Sequence, residues 1–141
     1  MSMRTHQAIK VMLDTNVLIS AIYNPNSSTF QAFRKASEPP YVLVLCDQVI
    51  DELRRVFNRK FPSKIQAMER FLSIAHYDLV TLTSEDAPSA DESNIRDIND
   101  RPILRSALKA GVAILVTGDK DFLESSVKTP EILTASQFVQ T

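Results

Sequence analysis

Val11-Met12-Leu13-Asp14-Thr15-Asn16 joins an apolar run to a polar turn. From Ile9 to Leu13 the chain is apolar apart from Lys10, then it stops at an acid and a helical pattern begins with Val17, Leu18, Ile19, Ala21 and Ile22. An apolar run that ends in a polar turn and opens a helix is how a buried parallel strand passes to its crossover. Asp14 then stands at the carboxyl end of a strand, where open α/β sheets keep their sites.

The rest of the chain repeats this alternation. The first helix, about Val17 to Ile22, breaks at Asn24-Pro25-Asn26, and Asn26, Ser27 and Ser28 offer caps for a second helix carrying Phe30 and Phe33. Glu38-Pro39-Pro40 ends it, Tyr41 to Cys46 is a second buried strand, and Asp47 is a plausible N-cap for a third helix from Gln48 to about Arg59. Phe61-Pro62-Ser63 interrupts, and a further helix runs roughly from Lys64 to Ala75. Leu79 to Leu82 is a short strand, residues 83–100 are a polar, acid-rich connection, and Arg101 to Lys109 is a helix with Pro102 in its first turn and Gly111 as its stop. Ala113 to Val116 is a strand, Thr117 to Asp121 a turn into a short helix (Phe122 to Ser126), Glu131 to Leu133 a last strand and Ala135 to Val139 a final helical turn. Strand and helix in alternation predict one parallel sheet between helices, an α/β architecture.

With 141 residues, 44% hydrophobic and 23% charged, the chain has the size and composition of one ordinary globular domain spanning 1–141, residues 1–8 forming a loose tail. A net charge of −1 gives no global basic field, so any nucleic-acid contact has to be local. The single cysteine, Cys46, excludes an internal disulfide framework and a cysteine-rich zinc site. No apolar run reaches membrane-spanning length and residues 1–8 lack a signal-peptide core, so a cytoplasmic protein without membrane contact is expected. His6 and His76 have no partners at metal-ligand spacing, which leaves Ser-His-Asp and Cys-His chemistry unsupported.

The acids are better organised. In the third helix Val49, Ile50, Leu53, Val56 and Phe57 form one face, and at about 100° per residue Glu52 falls at its edge while Asp51 points away to solvent. In the helix after Asp100 the inward face is Ile103, Leu104, Ala107 and Leu108, and Asp100 projects along it at the amino-terminal end; Asp97 is less well aligned. Asp119 follows its strand as Asp14 follows the first, and Asp121 lies two further on. Taken one at a time, each acid is better explained by a helix cap, a turn or a surface pair. Four carboxylates from separate segments at one sheet edge are not, because they repel unless a divalent cation supplies the missing charge. Oxygen ligands without His or Cys point to magnesium or manganese, and to metal-assisted hydrolysis of a phosphate ester. Asn16 and Thr117 are candidate supporting residues, with backbone hydrogen bonding as their ordinary alternative. Arg54, Arg55, Arg59 and Lys60, close after Glu52, suit the phosphates of an RNA as well as they suit a solvated helix end.

Together, Val11 to Val17, Glu52 in its amphipathic helix, Asp97-Ile98-Asn99-Asp100-Arg101-Pro102-Ile103-Leu104 and Leu115-Val116-Thr117-Gly118-Asp119-Lys120-Asp121-Phe122-Leu123 resemble the PIN-domain family. More narrowly they resemble the VapC-type and related toxins of prokaryotic toxin–antitoxin pairs, as does the closing Glu131 to Phe138; Ala135 departs from the Pro that relatives often carry after Thr. The resemblance implies a three-layer α/β/α fold with a central parallel sheet and a magnesium- or manganese-dependent endoribonuclease with a water nucleophile and a 5′-phosphate product. It implies catalytic roles for Asp14, Glu52, Asp100 and Asp119, with Asp14, Asp100 and Asp119 as metal ligands and Asp121 as an accessory one. It further implies a homodimer and a cognate antitoxin protein. Two alternatives stay open. A phosphatase of the haloacid-dehalogenase type also uses a strand-end Asp but wants a second Asp where this chain has Asn16. A PIN scaffold that binds RNA or a partner without cutting would need no intact set of acids.

Overall fold

The computed structural model describes residues 8–141; the expected amino-terminal tail, but for Ala8, and His6 lie outside them. Five parallel strands form one sheet: β1 (Ile9–Leu13), β2 (Tyr41–Cys46), β3 (Asp78–Val80), β4 (Ile114–Val116) and β5 (Glu131–Leu133), in the order β3-β2-β1-β4-β5. The helices are α1 (Thr15–Tyr23), α2 (Ser28–Ala36), α3 (Asp47–Lys60), α4 (Ile65–Ile74), α5 (Arg101–Ala110), α6 (Lys120–Leu123) and α7 (Ala135–Val139), with 3-10 turns at Pro62–Lys64 and Ala90–Asn94. This is the three-layer α/β/α arrangement.

Right-handed crossovers put α1 to α4, which carry the chain from β1 to β2 and on to β3, on one face of the sheet. The chain then returns past β1 to β4 and β5, so α5 and α6 cover the other face, while α7 packs back against α2. The direction of winding therefore reverses between β1 and β4, and a crevice opens there beyond the strand ends. Central β1 is continuously apolar because both its faces are covered: Val11, Met12 and Leu13 are fully buried. Leu43, Leu45, Leu53, Phe57, Leu104, Leu115 and Phe138 extend the same core.

Several boundaries differ from expectation, each for a local reason. α1 starts two residues early, at Thr15, because Asp14 itself is the N-cap. Asp47 is the first residue of α3 rather than its cap, and among the described residues its carboxylate accepts a hydrogen bond only from the amide of neighbouring Gln48. β3 is Asp78–Val80 instead of Leu79–Leu82: Lys109 binds the Thr81 carbonyl and the Asp86 carboxylate takes the Thr83 amide, which ends pairing with β2 after Val80. α6 is Lys120–Leu123 instead of Phe122–Ser126 because Asp119 caps it through the Asp121 amide. The polar, acid-rich connection before α5 has its own turn, Ala90–Asn94, anchored by buried Ile95 and by a bidentate pair from Arg105 to buried Glu92 at 2.7 and 3.1 Å.

Candidate metal centre

At the switch point β1 and β4 end side by side, and the Asp14 amide donates to the Val116 carbonyl at 3.0 Å. This backbone link places Asp14 beside Thr117. The Asp14 side chain is only 4% exposed. One of its oxygens accepts from the Thr15 amide at 2.7 Å, and the other from the hydroxyl of fully buried Thr117 at 2.8 Å. The same Thr117 oxygen accepts from the Asp119 amide at 3.0 Å, so one hydroxyl fixes both strand-end acids. Across the crevice the Thr15 hydroxyl donates to Glu52 Oε2 at 3.0 Å and ties α3 to the start of α1. Burial raises the Asp14 carboxyl above its ordinary value against those two hydrogen bonds, and the nearby charges of Glu52 and Asp119 raise it further.

Asp100 stands at the N-cap of α5 but makes no capping bond with its side chain. Its Oδ2 is buried and has no hydrogen-bond partner among the described residues. Burial, with the Asp119 carboxyl against it and Asp14 close by, pushes the Asp100 carboxyl up to about 8. Such an oxygen is costly to leave bare, and a cation satisfies it where capping does not. An all-oxygen set of carboxylates is the donor chemistry of magnesium or manganese, so the residues present fit such an ion.

A second grouping lies beside it. Asp97, Asp100 and Asp121 each bring a carboxylate oxygen within 4.8 Å of the others. Asp97 was the acid that helical projection aligned least well; the turn before α5, in which it accepts from the Asn99 amide at 2.9 Å, swings it in. Its spacing of three before Asp100 was the only signal in the sequence. A cleft of about 500 Å³ opens onto these acids, lined by Gln48, Asp51, Glu52, Arg55, Asp97 and Asp100 among others. Asp51 is exposed as projection along the helix requires, yet it also borders this cleft.

The expected supporting and basic residues separate. Thr117 is at the centre of the hydrogen bonding, whereas Asn16 is exposed and its side chain bonds to none of the described residues. Arg55 lines the cleft, Arg54 is held by Glu69 on α4 at 3.0 Å, and Arg59 and Lys60 lie exposed in the last turn of α3. Cys46 is buried, with burial pushing its thiol up to about 11, which removes it as a nucleophile at neutral pH.

A family model described as PIN domain matches residues 10–121, a span that runs from within β1 through β4 to Asp121 and contains Asp14, Glu52, Asp97, Asp100 and Asp119. The chain belongs to the PIN-domain family. Its fold is also that of solved family structures. DNA-bound VapBC from Salmonella typhimurium superposes with a TM-score of 0.65 at 20% identity, covering 90% of this chain and 98% of that one. VapBC2 from Rickettsia felis, bound to a promoter fragment, gives 0.64 at 18% identity, covering 84% and 94%. VapC20 from Mycobacterium tuberculosis, a toxin that cleaves the sarcin–ricin loop, gives 0.58 at 18% identity, covering 81% and 93%. No curated protein matches the chain by sequence.

Proposed function

We propose that this PIN-domain protein, one domain across residues 1–141, is a magnesium- or manganese-dependent endoribonuclease of the cytoplasm and the toxin of a toxin–antitoxin pair. The observation that carries the proposal is the buried Asp100 oxygen left without a partner among the described residues, with carboxylate oxygens of Asp97 and Asp121 within 4.8 Å and the Asp119 carboxyl beside it. Asp14, Asp100 and Asp119 are the metal ligands in this reading, and Asp121 is an accessory one. A bound divalent cation would neutralise these acids, activate water for attack on phosphorus and stabilise the leaving oxygen. Thr117 keeps Asp14 and Asp119 in place for it. Glu52 is the base: the Thr15 hydroxyl holds Oε2, while Oε1 has no partner among the described residues and is free to take a proton from water. Arg55 on the cleft wall contacts the RNA backbone.

The partners proposed are RNA, a cognate antitoxin protein and a second copy of the chain. The antitoxin is supported by relatives solved as VapBC complexes, and by an apolar groove of about 300 Å³ lined by Phe30, Phe33, Phe71 and Ile74. No helix of the described residues is long and apolar enough to cross a membrane.

Incubation of the purified protein with RNA and Mn²⁺, with and without chelator, tests the activity. Cleavage should need the ion, and Asp14→Asn with an intact fold should lose at least about 100-fold, since even groups behind the ligands cost 10- to 100-fold at metal sites. RNA bound but never cut would leave a binding scaffold, and a trapped aspartyl-phosphate would indicate the phosphatase.

A further inference from the structure

Arg96 reaches the acids from the connection that precedes α5. Its Nε donates to Asp121 Oδ1 at 3.0 Å, its Nη2 stands 3.8 Å from Glu124, and its side chain is 76% exposed. Asp121 in turn lies within 4.8 Å of Asp97 and Asp100, so this guanidinium sits at the rim of the acid cluster. Three other arginines around the site are committed. Arg54 is on Glu69, Arg105 on Glu92, and Arg101 donates to the Ile95 carbonyl at 3.0 Å. Arg55 on the α3 wall and Arg96 remain with donors free at the acids. A guanidinium offers five donors in a fork that matches phosphate, and among the described residues only one here makes a hydrogen bond. An exposed ion pair of this kind is weak and opens at little cost.

We propose that Arg96 is a positioning residue for the RNA backbone: it rests on Asp121 until substrate arrives, then turns its fork to a phosphate beside the one being cleaved. The proposal deepens the ribonuclease reading and rests on it. It gives a chain of net charge −1 a local cation on each side of its carboxylates, from α3 and from the connection before α5. It also removes a competitor from Asp121 at the moment when accessory metal contacts are needed.

The test measures binding of a single-stranded oligoribonucleotide in Mg²⁺, in a Glu52→Gln background that does not cleave, at NaCl concentrations between 50 and about 300 mM, the range in which phosphate contacts are most salt-sensitive. Arg96→Ala should weaken binding about tenfold at the lowest salt, as loss of a charge-assisted hydrogen bond does. It should also reduce the magnitude of the slope of log K against log salt by about 0.7, the value for one phosphate contact on a single strand. Arg96→Lys should keep the slope and lose only part of the affinity. With Glu52 intact, Arg96→Ala should raise KM and leave kcat nearly unchanged. Mn²⁺ affinity of Arg96→Ala without RNA, measured by calorimetry, should be equal to or tighter than that of the wild type. Wild-type RNA affinity and slope in Arg96→Ala would overturn the proposal while leaving the ribonuclease standing. Weakened Mn²⁺ binding would also overturn it, since Arg96 would then only arrange Asp121. A wild-type protein that neither binds nor cuts RNA would overturn both.

Discussion

Asp100 shows best how single residues set the chemistry. Its carboxyl is pushed up to about 8 by burial and by Asp119 and Asp14, so in the ion-free protein it stays protonated well above the range of an unfolded aspartate. The folded state then binds more protons than the unfolded one from about pH 4 to about pH 8, the window between the unperturbed aspartate value and the raised one. Stability should fall as pH rises through that window. Urea titrations in chelator between pH 5 and pH 8.5 should show the fall, and Asp100→Asn should flatten it; saturating Mn²⁺ should stabilise most at the alkaline end, where the carboxylates are charged. A stability that rises with pH in chelator, and does so equally in Asp100→Asn, would contradict the placement of this acid. The residues of the site were unequally legible. Asp14 and Asp119 could be read because each follows an apolar strand, a local pattern. Asp97 and Arg96 could not, because their positions depend on a turn without periodicity and, for Arg96, on Asp121, 25 residues away. The commitment of Arg54 to Glu69 is likewise a contact between two helices that no helical projection of α3 contains.

Among the elements, the sheet and α3 to α5 were plain from apolar periodicity, while short pieces shifted by one to three residues where side chains rather than period set the ends. Asp119 as the cap of α6 and Lys109 on the Thr81 carbonyl are two such cases. The connection between β3 and α5 looked like a loop because its order comes from a few tertiary anchors. Ile95 is the apolar one and is fully buried. Ile95→Ala should cost ~3 kcal/mol of unfolding free energy, the usual range for emptying a buried isoleucine site being about 2–5 kcal/mol. It should also lower cleavage without changing any acid, because the residues that follow Ile95 carry Asp97 and Asp100. Chemical denaturation beside the RNA assay checks both; a loss below ~1 kcal/mol with full activity would mean that other contacts fix the connection.

The molecule as a whole works through its topology. Reversal of winding between β1 and β4 brings acids from the starts of α1, α5 and α6 and from the body of α3 to one crevice. Apolar side chains left open on the surface away from the groove proposed for the antitoxin, Tyr23, Leu79 and Ile98 among them, are where the proposed self-association would bury area. Sedimentation equilibrium should return twice the 15.8 kDa mass of the chain, and a chain-mass species at all concentrations would contradict the homodimer. A crystal grown with Mn²⁺ decides whether the crevice holds a catalytic cation. Anomalous scattering should place manganese among the carboxylates of Asp14, Asp100 and Asp119, and the peak should vanish in Asp14→Asn. A fully saturated crystal with no peak between those three acids would contradict the account.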